Sequence, residues 1–350
     1  MKRIIVVLSV FVMSASCYAL NWDYTENKTK FCSHGTNIKH FGFIKSGRPP
    51  VSIENVSRYT DWVDVGDNSI TDPVERAQSD LNTIIEASSY NLKSVVQVDE
   101  IFFEYLFNGD TFEGVVLRSN YIDRWLVYSD IIAPNIDDIL MFLTLDEPYW
   151  AGCGAAGSPV QETTMKEWLE SVAACIKTTF PTVKLGQVYA YVSMLENYSS
   201  NPTSPKSETF SIPEGYDYVG FDMFYSSFRA NGYYEVEKYA GFISDFTTLY
   251  TYFKNVVSGA HKLIIIPGSF YHDFFEVSEA ELLQDAYFFM DLARNDPQIE
   301  VLAPFLYKTC YNMVGIEDLY FVDTYWKHIG KQILHCIPSP IYMILMYLSD

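Results

Sequence analysis

The sequence predicts an α/β protein built as a single (β/α)8 barrel, the fold also known as a TIM barrel. Apolar, strand-like runs alternate with helical patterns along the chain, and eight such strands can be counted. The 350 residues suit one large α/β domain, although length alone also allows two ordinary domains. A doubly wound sheet is the alternative, but such sheets usually stop at about five or six strands. The strand count therefore favours the barrel.

The N-terminus predicts a secretory signal peptide at residues 1–19. A basic start is followed by a short apolar run and by small residues that end at Ala19, the predicted cleavage position. Acylation of Cys17, which would leave a lipid anchor, is the alternative. Residues 20–350 would then form the barrel domain, with an N-terminal lead-in and a C-terminal apolar tail. The predicted location is secreted or periplasmic, with no integral membrane segment because the apolar runs at both ends are too short to span a bilayer.

The predicted strands are apolar or β-branched runs bounded by polar or turn-forming residues. They cover residues 38–45, 62–65, 94–98, 139–145, 185–192, 216–225, 262–270 and 300–307. Residues 197–215 are rich in Asn, Ser, Pro and Thr. They predict a long loop within one domain, because the alternation of strands and helices resumes directly after them.

Helical spacing of apolar residues separates most of these strands. The predicted helices cover residues 56–63, 72–90, 120–129, 162–180, 236–257, 278–295 and 323–335. The whole stretch from residue 101 to 138 also has a weak helical pattern. Asp72 is a predicted N-cap with Pro73 in the first turn, and Ser278 with Glu281 matches a capping box.

The fourth strand is the stretch around which the predicted site is organised. Seven apolar or β-compatible residues predict a strand buried on both faces, and two carboxylates follow it, Asp146 and Glu147. Pro148 has no N–H to continue a ladder, so the chain must turn into a loop there. Because the carboxyl ends of barrel strands meet at one mouth where ligands bind, Glu147 is a candidate functional residue. Side chains alternate along a strand, so Asp146 is expected to point the other way and support the loop.

The other strand ends would bring acidic and aromatic side chains to the same mouth. They are Asp99 and Glu100 after strand three, Trp150 after strand four, Tyr189 and Tyr191 on strand five, Asp222 and Tyr225 on strand six, and Tyr307 on strand eight. Paired carboxylates suit the cleavage of glycosidic bonds, since one protonates the leaving oxygen while the other attacks or activates water. Tyrosine and tryptophan rings suit the apolar faces of sugars, and core packing is their alternative role.

Two motifs resemble those of (β/α)8 glycoside hydrolases: Leu145-Asp-Glu-Pro148 at the end of strand four and Gly220-Phe-Asp-Met-Phe-Tyr225 on strand six. The resemblance covers nearly the whole predicted mature chain and matches no specific family. It implies a secreted enzyme that cleaves a poly- or oligosaccharide, with Glu147 as the general acid/base. The aromatic and acidic rim residues, Asp146 included, would then bind the carbohydrate.

The chain departs from the usual patterns of that superfamily at the second carboxylate. Asp146 stands where Asn is common, and strand seven offers no carboxylate before Asp273. The pattern DxxDxDxE fails as well, because leucines occupy its first acidic places. Asp222 is therefore the expected catalytic partner, with a buried hydrogen-bond anchor as its alternative role. The missing strand-seven carboxylate also motivates a second hypothesis, a secreted barrel that binds carbohydrate or protein without cleaving it.

The environments predict opposite protonation states for the two carboxyl groups. Burial near aromatic rings would raise the pKa of Glu147 and keep it protonated, whereas a more polar setting would keep Asp222 ionised.

Charge and cysteine content restrict the partners. A formal net charge of −20 repels phosphate backbones, so no nucleic-acid partner is expected. Neither CxxC nor HExxH occurs, no GxGxxG follows strand one, and GxxxxGK[ST] is absent, so no metal or nucleotide cofactor is predicted. In a barrel, Cys32 and Cys336 would both lie near the bottom face, which suggests a disulfide between them. The oligomeric state is not predicted.

Overall fold

Eight parallel strands form the central sheet of the computed structural model. The structure describes residues 37–44, 51–66, 69–109, 111–151, 161–195, 205, 211–226, 239–272, 277–309 and 313–335. Within them the sheet strands are β1 (His40–Phe41), β2 (Trp62–Val65), β3 (Lys93–Gln97), β4 (Ile139–Asp146), β5 (Leu185–Ala190), β6 (Tyr218–Asp222), β7 (Lys262–Ile266) and β8 (Ile299–Leu302). The predicted signal peptide, the apolar tail, Asp273, Cys32 and Cys336 lie outside the described residues.

The strands follow one another around a nearly closed ring. From β2 to β8 each strand pairs in parallel with the next one along the chain, and β8 pairs with β1. Asp61, directly before β2, closes the remaining gap: its N–H donates to the carbonyl of Phe41 at 2.9 Å and its carboxylate accepts from the N–H of Phe41 at 2.7 Å. The predicted (β/α)8 barrel is confirmed, since a doubly wound sheet would keep two open edges.

Helices cover the outside of the barrel. The described ones are α1 (Ile53–Val56), α2 (Pro73–Ser89), α3 (Tyr121–Ile132), α4 (Glu162–Thr179), α5 (Tyr239–Val256), α6 (Glu279–Asn295) and α7 (Tyr320–His335). Short α-helices at Asp99–Phe102 and Pro148–Ala151, and 3-10 turns at Ala133–Asp138, Tyr191–Met194 and Ile316–Asp318, occupy loops. The Asp72 cap and the capping box of Ser278 with Glu281 are both confirmed. In the described part of the chain, none of the helices combines the length and the apolar composition that crossing a bilayer requires.

Residues 103–117 form an antiparallel hairpin, Phe103–Asn108 with Thr111–Leu117, and the helical expectation for this segment is wrong. Short apolar runs fit both the helical and the strand period, so periodicity alone could not separate them. The turn decides the outcome, because Asn108 is followed by Gly109, whose φ of +60° suits a tight hairpin. A separate two-stranded antiparallel sheet pairs Tyr271–His272 with Met313–Val314, which lie far apart in the chain. Strands β7 and β8 also end earlier than expected, before Pro267 and Pro304.

The barrel interior is a packed apolar core. Its buried residues are Trp62, Val95, Met141, Val188, Tyr218, Ile264, Ile266, Val301 and Ala303. A larger apolar cluster fills the layer between the strands and the helices. With the interior filled by side chains, ligands must bind at the mouth.

Close strand packing at Gly220 gives a stability prediction. A Cβ atom on Gly220 of β6 would collide with the carbonyl oxygen of Ile264 on β7, its partner in the ladder. We expect Gly220→Ala to lower the free energy of unfolding by about 1–3 kcal/mol, because the two strands would have to move apart. Urea unfolding measures the loss. Gly259→Ala is the control, because nothing lies within 4 Å of its Cβ position, and an equal loss in both variants would contradict the explanation.

Candidate active site

Glu147 follows β4 in an unusual backbone conformation. Its φ is +45°, in the left-handed region that L-residues other than Asn and Asp rarely adopt and that costs roughly 1–2 kcal/mol. Pro148 begins the short helix directly after it. Non-glycine residues with such strain cluster at functional sites, where the surrounding structure holds them in place.

This turn also breaks the expected alternation of side chains. The register between β4 and β5 shifts between Leu143 and Asp146, an irregularity of the kind that redirects side chains next to active sites. As a result, Asp146 and Glu147 line the same cleft. The structure therefore differs from the expectation that Asp146 points away from Glu147.

The carboxyl groups of Glu147 and Asp222 are hydrogen-bonded to each other. Asp222 is the last residue of β6 and is only 8% exposed, whereas Glu147 is half-buried. Two carboxyl groups can make this bond only when one of them carries a proton. The fold thus brings the predicted catalytic pair into direct contact, and the pair shares a proton.

Burial decides which member of the pair holds that proton. It raises the pKa of Asp222 well above the usual range, and the negative charge of Glu147, its hydrogen bond and the charge of Asp146 add to the effect. Burial also raises the pKa of Glu147, but the hydrogen bond from Asp222 opposes this. The expected rise for Glu147 is confirmed. The expectation that Asp222 stays ionised is not met, because Asp222 lies in a buried rather than a polar setting.

A cleft of about 780 Å³ opens beside Glu147 at the carboxyl ends of the strands. Its described lining consists of Thr71, Glu100, Glu104, Tyr105, Phe107, Phe112, Arg118, Arg124, Asp146 and Glu147. The hairpin at 103–117 supplies one wall, and Phe107 on it is 61% exposed. Asp222 is not part of this lining, so Glu147 is the member of the pair that meets the cleft.

Asp99 and Glu100 begin the short helix that follows β3, and the two carboxyl groups are hydrogen-bonded. Asp99 accepts a hydrogen bond from the hydroxyl of Tyr105 at 2.6 Å, which ties the hairpin to the barrel. Glu100 accepts from Nη1 of Arg76 at 3.1 Å and lines the cleft. Of the two residues, Glu100 is therefore the one placed for contact with a ligand.

The pKa of Glu100 predicts how stability changes with pH. Burial and the neighbouring Asp99 raise this pKa to about 9 in spite of the opposing Arg76. The folded chain keeps a proton that the unfolded chain loses above pH 4.5. The contribution of Glu100 to the free energy of unfolding should therefore be largest below pH 4.5. It should fall by on the order of a few kcal/mol as the pH rises toward about 9.

Glu100→Gln should flatten this fall, because the amide stays neutral at every pH. Urea unfolding across the same pH range measures the slope, and Glu86→Gln, an exposed position on α2, is the matched control. A slope in Glu100→Gln as steep as in the wild type would contradict the assignment.

The predicted rim tyrosines lie mostly in the core. Tyr189 and Tyr225 are fully buried, and Tyr225 donates to a carboxylate oxygen of Glu281 at 3.2 Å. The hydroxyls of Tyr307 and Tyr59 are hydrogen-bonded at 2.9 Å within the core. Tyr191 packs against the outer cluster.

These positions favour core packing over sugar binding for the rim tyrosines, and none of them lines the described cleft. Trp150 has its backbone in the short helix Pro148–Ala151, and its side chain lies outside the described residues.

The main residues missed from the sequence are those of the hairpin wall and the arginines behind it. Tyr105, Phe107 and Phe112 provide rings, and Arg118 and Arg124 provide positive charge. The Asn-Gly turn between two aromatic, β-prone runs was the available signal. In the described residues, no group of three or more His, Cys, Asp or Glu side chains is arranged to hold a metal ion.

Comparison with known proteins identifies the fold. No protein-family model matches the sequence, and no curated protein matches it. An exo-β-1,4-mannosidase from Opitutaceae bacterium strain TAV5 superposes with a TM-score of 0.54 at 10% identity, over 89% of this chain and 64% of that one. The chain shares the (β/α)8 barrel fold of this mannosidase. The predicted resemblance is thus confirmed for the fold alone.

Two further solved structures are less similar in shape. A psychrophilic family 10 endo-β-1,4-xylanase gives a TM-score of 0.47 at 12% identity, over 81% of this chain and 91% of that one. An endo-laminarinase from Formosa Hel1_33_131 gives 0.47 at 11% identity, over 77% of this chain and 78% of that one.

Proposed function

We propose that the chain is a secreted glycoside hydrolase that cleaves a poly- or oligosaccharide at the barrel mouth. The observation that carries this proposal is the proton-sharing pair of Glu147 and Asp222, of which Glu147 faces the cleft. Carboxyl groups that deliver and accept protons beside a bound sugar are the requirement for hydrolysis of a glycosidic bond. The glycosidase fold is consistent with this chemistry but does not by itself establish it.

Glu147 would act as the general acid on the leaving oxygen. Its raised pKa favours the protonated form, which can donate to the glycosidic oxygen. Asp222 opposes this rise from behind, because the hydrogen bond that it donates stabilises the ionised form of Glu147. Exposed on the same cleft, Asp146 is a second carboxylate in reach of the substrate side.

The separation of Glu147 and Asp222 also restricts which carboxyl group could act as nucleophile or base in the hydrolysis. Retaining enzymes hold their carboxyl groups about 5–5.5 Å apart, and inverting ones about 6.5–9.5 Å. A direct hydrogen bond is shorter than either separation. Asp222 would therefore have to move away from Glu147 to act as nucleophile or base.

The same contact supports a second candidate function, a secreted barrel that binds carbohydrate without cleaving it. A pair locked at hydrogen-bond distance leaves no room for a water or a sugar carbon between the carboxyl groups. The cleft and its aromatic rings would then serve binding alone.

A screen of activity and binding tests the proposal. The purified protein is incubated with a panel of aryl glycosides and polysaccharides, and released reducing ends are measured beside binding by calorimetry. Release by the wild type that is lost in Glu147→Gln, with sugar binding kept, supports the hydrolase. Binding by the wild type without any release supports the non-catalytic barrel, and neither binding nor release on any sugar would overturn both.

The Asp222–Glu147 bond predicts a shift of the pH profile. Asp222→Leu removes the hydrogen bond that stabilises the ionised form of Glu147. The pKa of Glu147 should therefore rise. We expect the acid form to persist to higher pH, so the optimum of kcat should move to higher pH. A profile of kcat against pH measures this, and an unchanged optimum would show that Asp222 does not control Glu147.

A further inference from the structure

Arg118 and Arg124 lie together in the wall of the cleft. Arg118 donates from Nε to the carbonyls of Phe103 at 2.8 Å and Glu100 at 3.3 Å. Arg124 donates from Nε to the carbonyl of Ile101 at 2.9 Å and from Nη2 to that of Glu100 at 3.0 Å. Backbone carbonyls therefore hold both guanidinium groups in position, and their positive charges are not neutralised by these bonds.

Carboxylates do little to neutralise this pair. In the described residues their one ion pair is with Glu104, whose carboxylate lies 3.9 Å from Nη1 of Arg118 on a side chain that is 55% exposed. Arg76 shows the contrast, because its buried guanidinium bonds to Asp80 at 2.8 Å and to Glu100 at 3.1 Å. One arginine of the region is thus fully paired, while the two that line the cleft are not.

The two guanidinium groups also repel each other. Burial lowers the pKa of Arg124, and the charge of Arg118 lowers it further against the opposing charges of Asp72 and Glu104. Within the described residues, the Nη atoms of Arg118 and Nη1 of Arg124 have no protein acceptor at hydrogen-bond distance. An anion between them would accept those donors and relieve the repulsion. In a chain with a formal net charge of −20, such a positive pair is a specific feature of this cleft.

Glu100 and the aromatic rings of the hairpin wall are compatible with an anionic ligand beside the arginines. Glu100, buried with a raised pKa of about 9, is neutral at physiological pH, so it adds no negative charge beside the arginines. Phe107 and Phe112 pack edge to face at 5.6 Å and supply apolar rings on the same wall. Rings next to fixed guanidinium groups suit a ligand with an apolar face and an anionic substituent.

We propose that the cleft selects an acidic carbohydrate, with the anionic substituent bound between Arg118 and Arg124 and the sugar extending toward Glu147. This inference rests on the proposed function for the identity of the ligand as a sugar. The substituent is a carboxylate, as in a uronic acid, or a sulfate ester, since both present planar or trigonal oxygen faces to guanidinium donors.

Matched pairs of ligands test the inference. Turnover is compared for 4-nitrophenyl glucoside against the corresponding glucuronide, and binding to Glu147→Gln is compared for neutral, uronic acid and sulfated oligosaccharides of equal length. We expect either the uronic acid or the sulfated ligand to be preferred over the neutral one by at least about 10-fold. This preference should weaken as the salt concentration rises. The two acidic arms distinguish carboxylate from sulfate.

Variants test whether the two arginines cause the preference for acidic ligands. Arg118→Gln and Arg124→Gln should each reduce the ratio of acidic to neutral binding by about 10-fold, whereas Glu104→Gln should raise it, because a competing negative charge is gone. Arg58→Gln is the control, since this arginine is 65% exposed on the surface outside the cleft. Thermal unfolding is followed in every variant. Should loss of the backbone contacts prevent folding, Arg118→Lys and the salt dependence of the wild type still measure the effect.

The outcomes separate this inference from the proposed function. Turnover of neutral glycosides with no acidic preference, unchanged in Arg118→Gln, would overturn the inference and leave the hydrolase standing. Tight binding of acidic oligosaccharides without turnover by the wild type would support the inference and overturn the hydrolase.

Discussion

Glu147→Gln is expected to lower kcat by on the order of 10³-fold on substrates with poor leaving groups. The amide cannot donate a proton to the leaving oxygen, and the side chain still fills the same space at the end of β4. Sugar binding should change little, because the shape of the cleft is kept. Steady-state kinetics give kcat and KM, and calorimetry gives the affinity of the variant for the same oligosaccharide.

The leaving group provides the internal control for this result. A 2,4-dinitrophenyl glycoside needs little protonation to depart, so its kcat should fall much less than that of an unactivated sugar. An equal loss on both substrates would indicate that Glu147 is the nucleophile rather than the acid. Full activity on both would remove Glu147 from catalysis, and Glu86→Gln controls for the loss of a carboxylate elsewhere.

Arg76→Met is expected to lower the free energy of unfolding by about 3–5 kcal/mol. Arg76 has no exposed side-chain surface, and it bonds to Asp80 at 2.8 Å, to Glu100 at 3.1 Å and to the carbonyl of Gln97 at 2.6 Å. The hydroxyl of Tyr128 adds a bond to Asp80 at 2.8 Å. Removing the cation leaves buried carboxyl groups without its compensating charge, and methionine of similar length avoids a large cavity.

Urea unfolding measures this loss, and two further variants interpret it. Arg58→Met, at a surface position, should stay within about 0.5 kcal/mol of the wild type. Replacing both Arg76 with Met and Asp80 with Leu should recover part of the stability, because the uncompensated carboxylate is removed with the cation. A loss below about 1 kcal/mol in Arg76→Met would mean that water or local movement compensates the buried carboxylate of Asp80.

Part of the fold followed from local patterns. The alternation of strands with helices predicted the barrel, and the caps at Asp72 and Ser278 predicted where two helices begin. Pro148 predicted that the chain leaves β4 directly after Glu147. These features depend on backbone sterics and on hydrogen bonds between near neighbours, which residue types determine.

Other features depended on which residues meet in space. The hairpin at 103–117 was mistaken for helix because its short apolar runs fit both periods. Asp146 was expected to point away from Glu147, but a register shift and the left-handed turn at Glu147 brought both residues to the cleft. From the sequence, Tyr189 and Tyr225 could lie in the core or at the rim. In the structure both rings are buried in the core.

By itself, the sequence determined the order of strands and helices, and with it the arrival of Glu147 at the mouth of a barrel. Tertiary structure alone decided that Asp222 contacts Glu147, that Asp222 holds the shared proton, and that two arginines share the cleft with Glu147. The physical reason is that desolvation and Coulomb energies depend on burial and on distances between residues far apart in the chain. Neither burial nor these distances can be read from composition or periodicity.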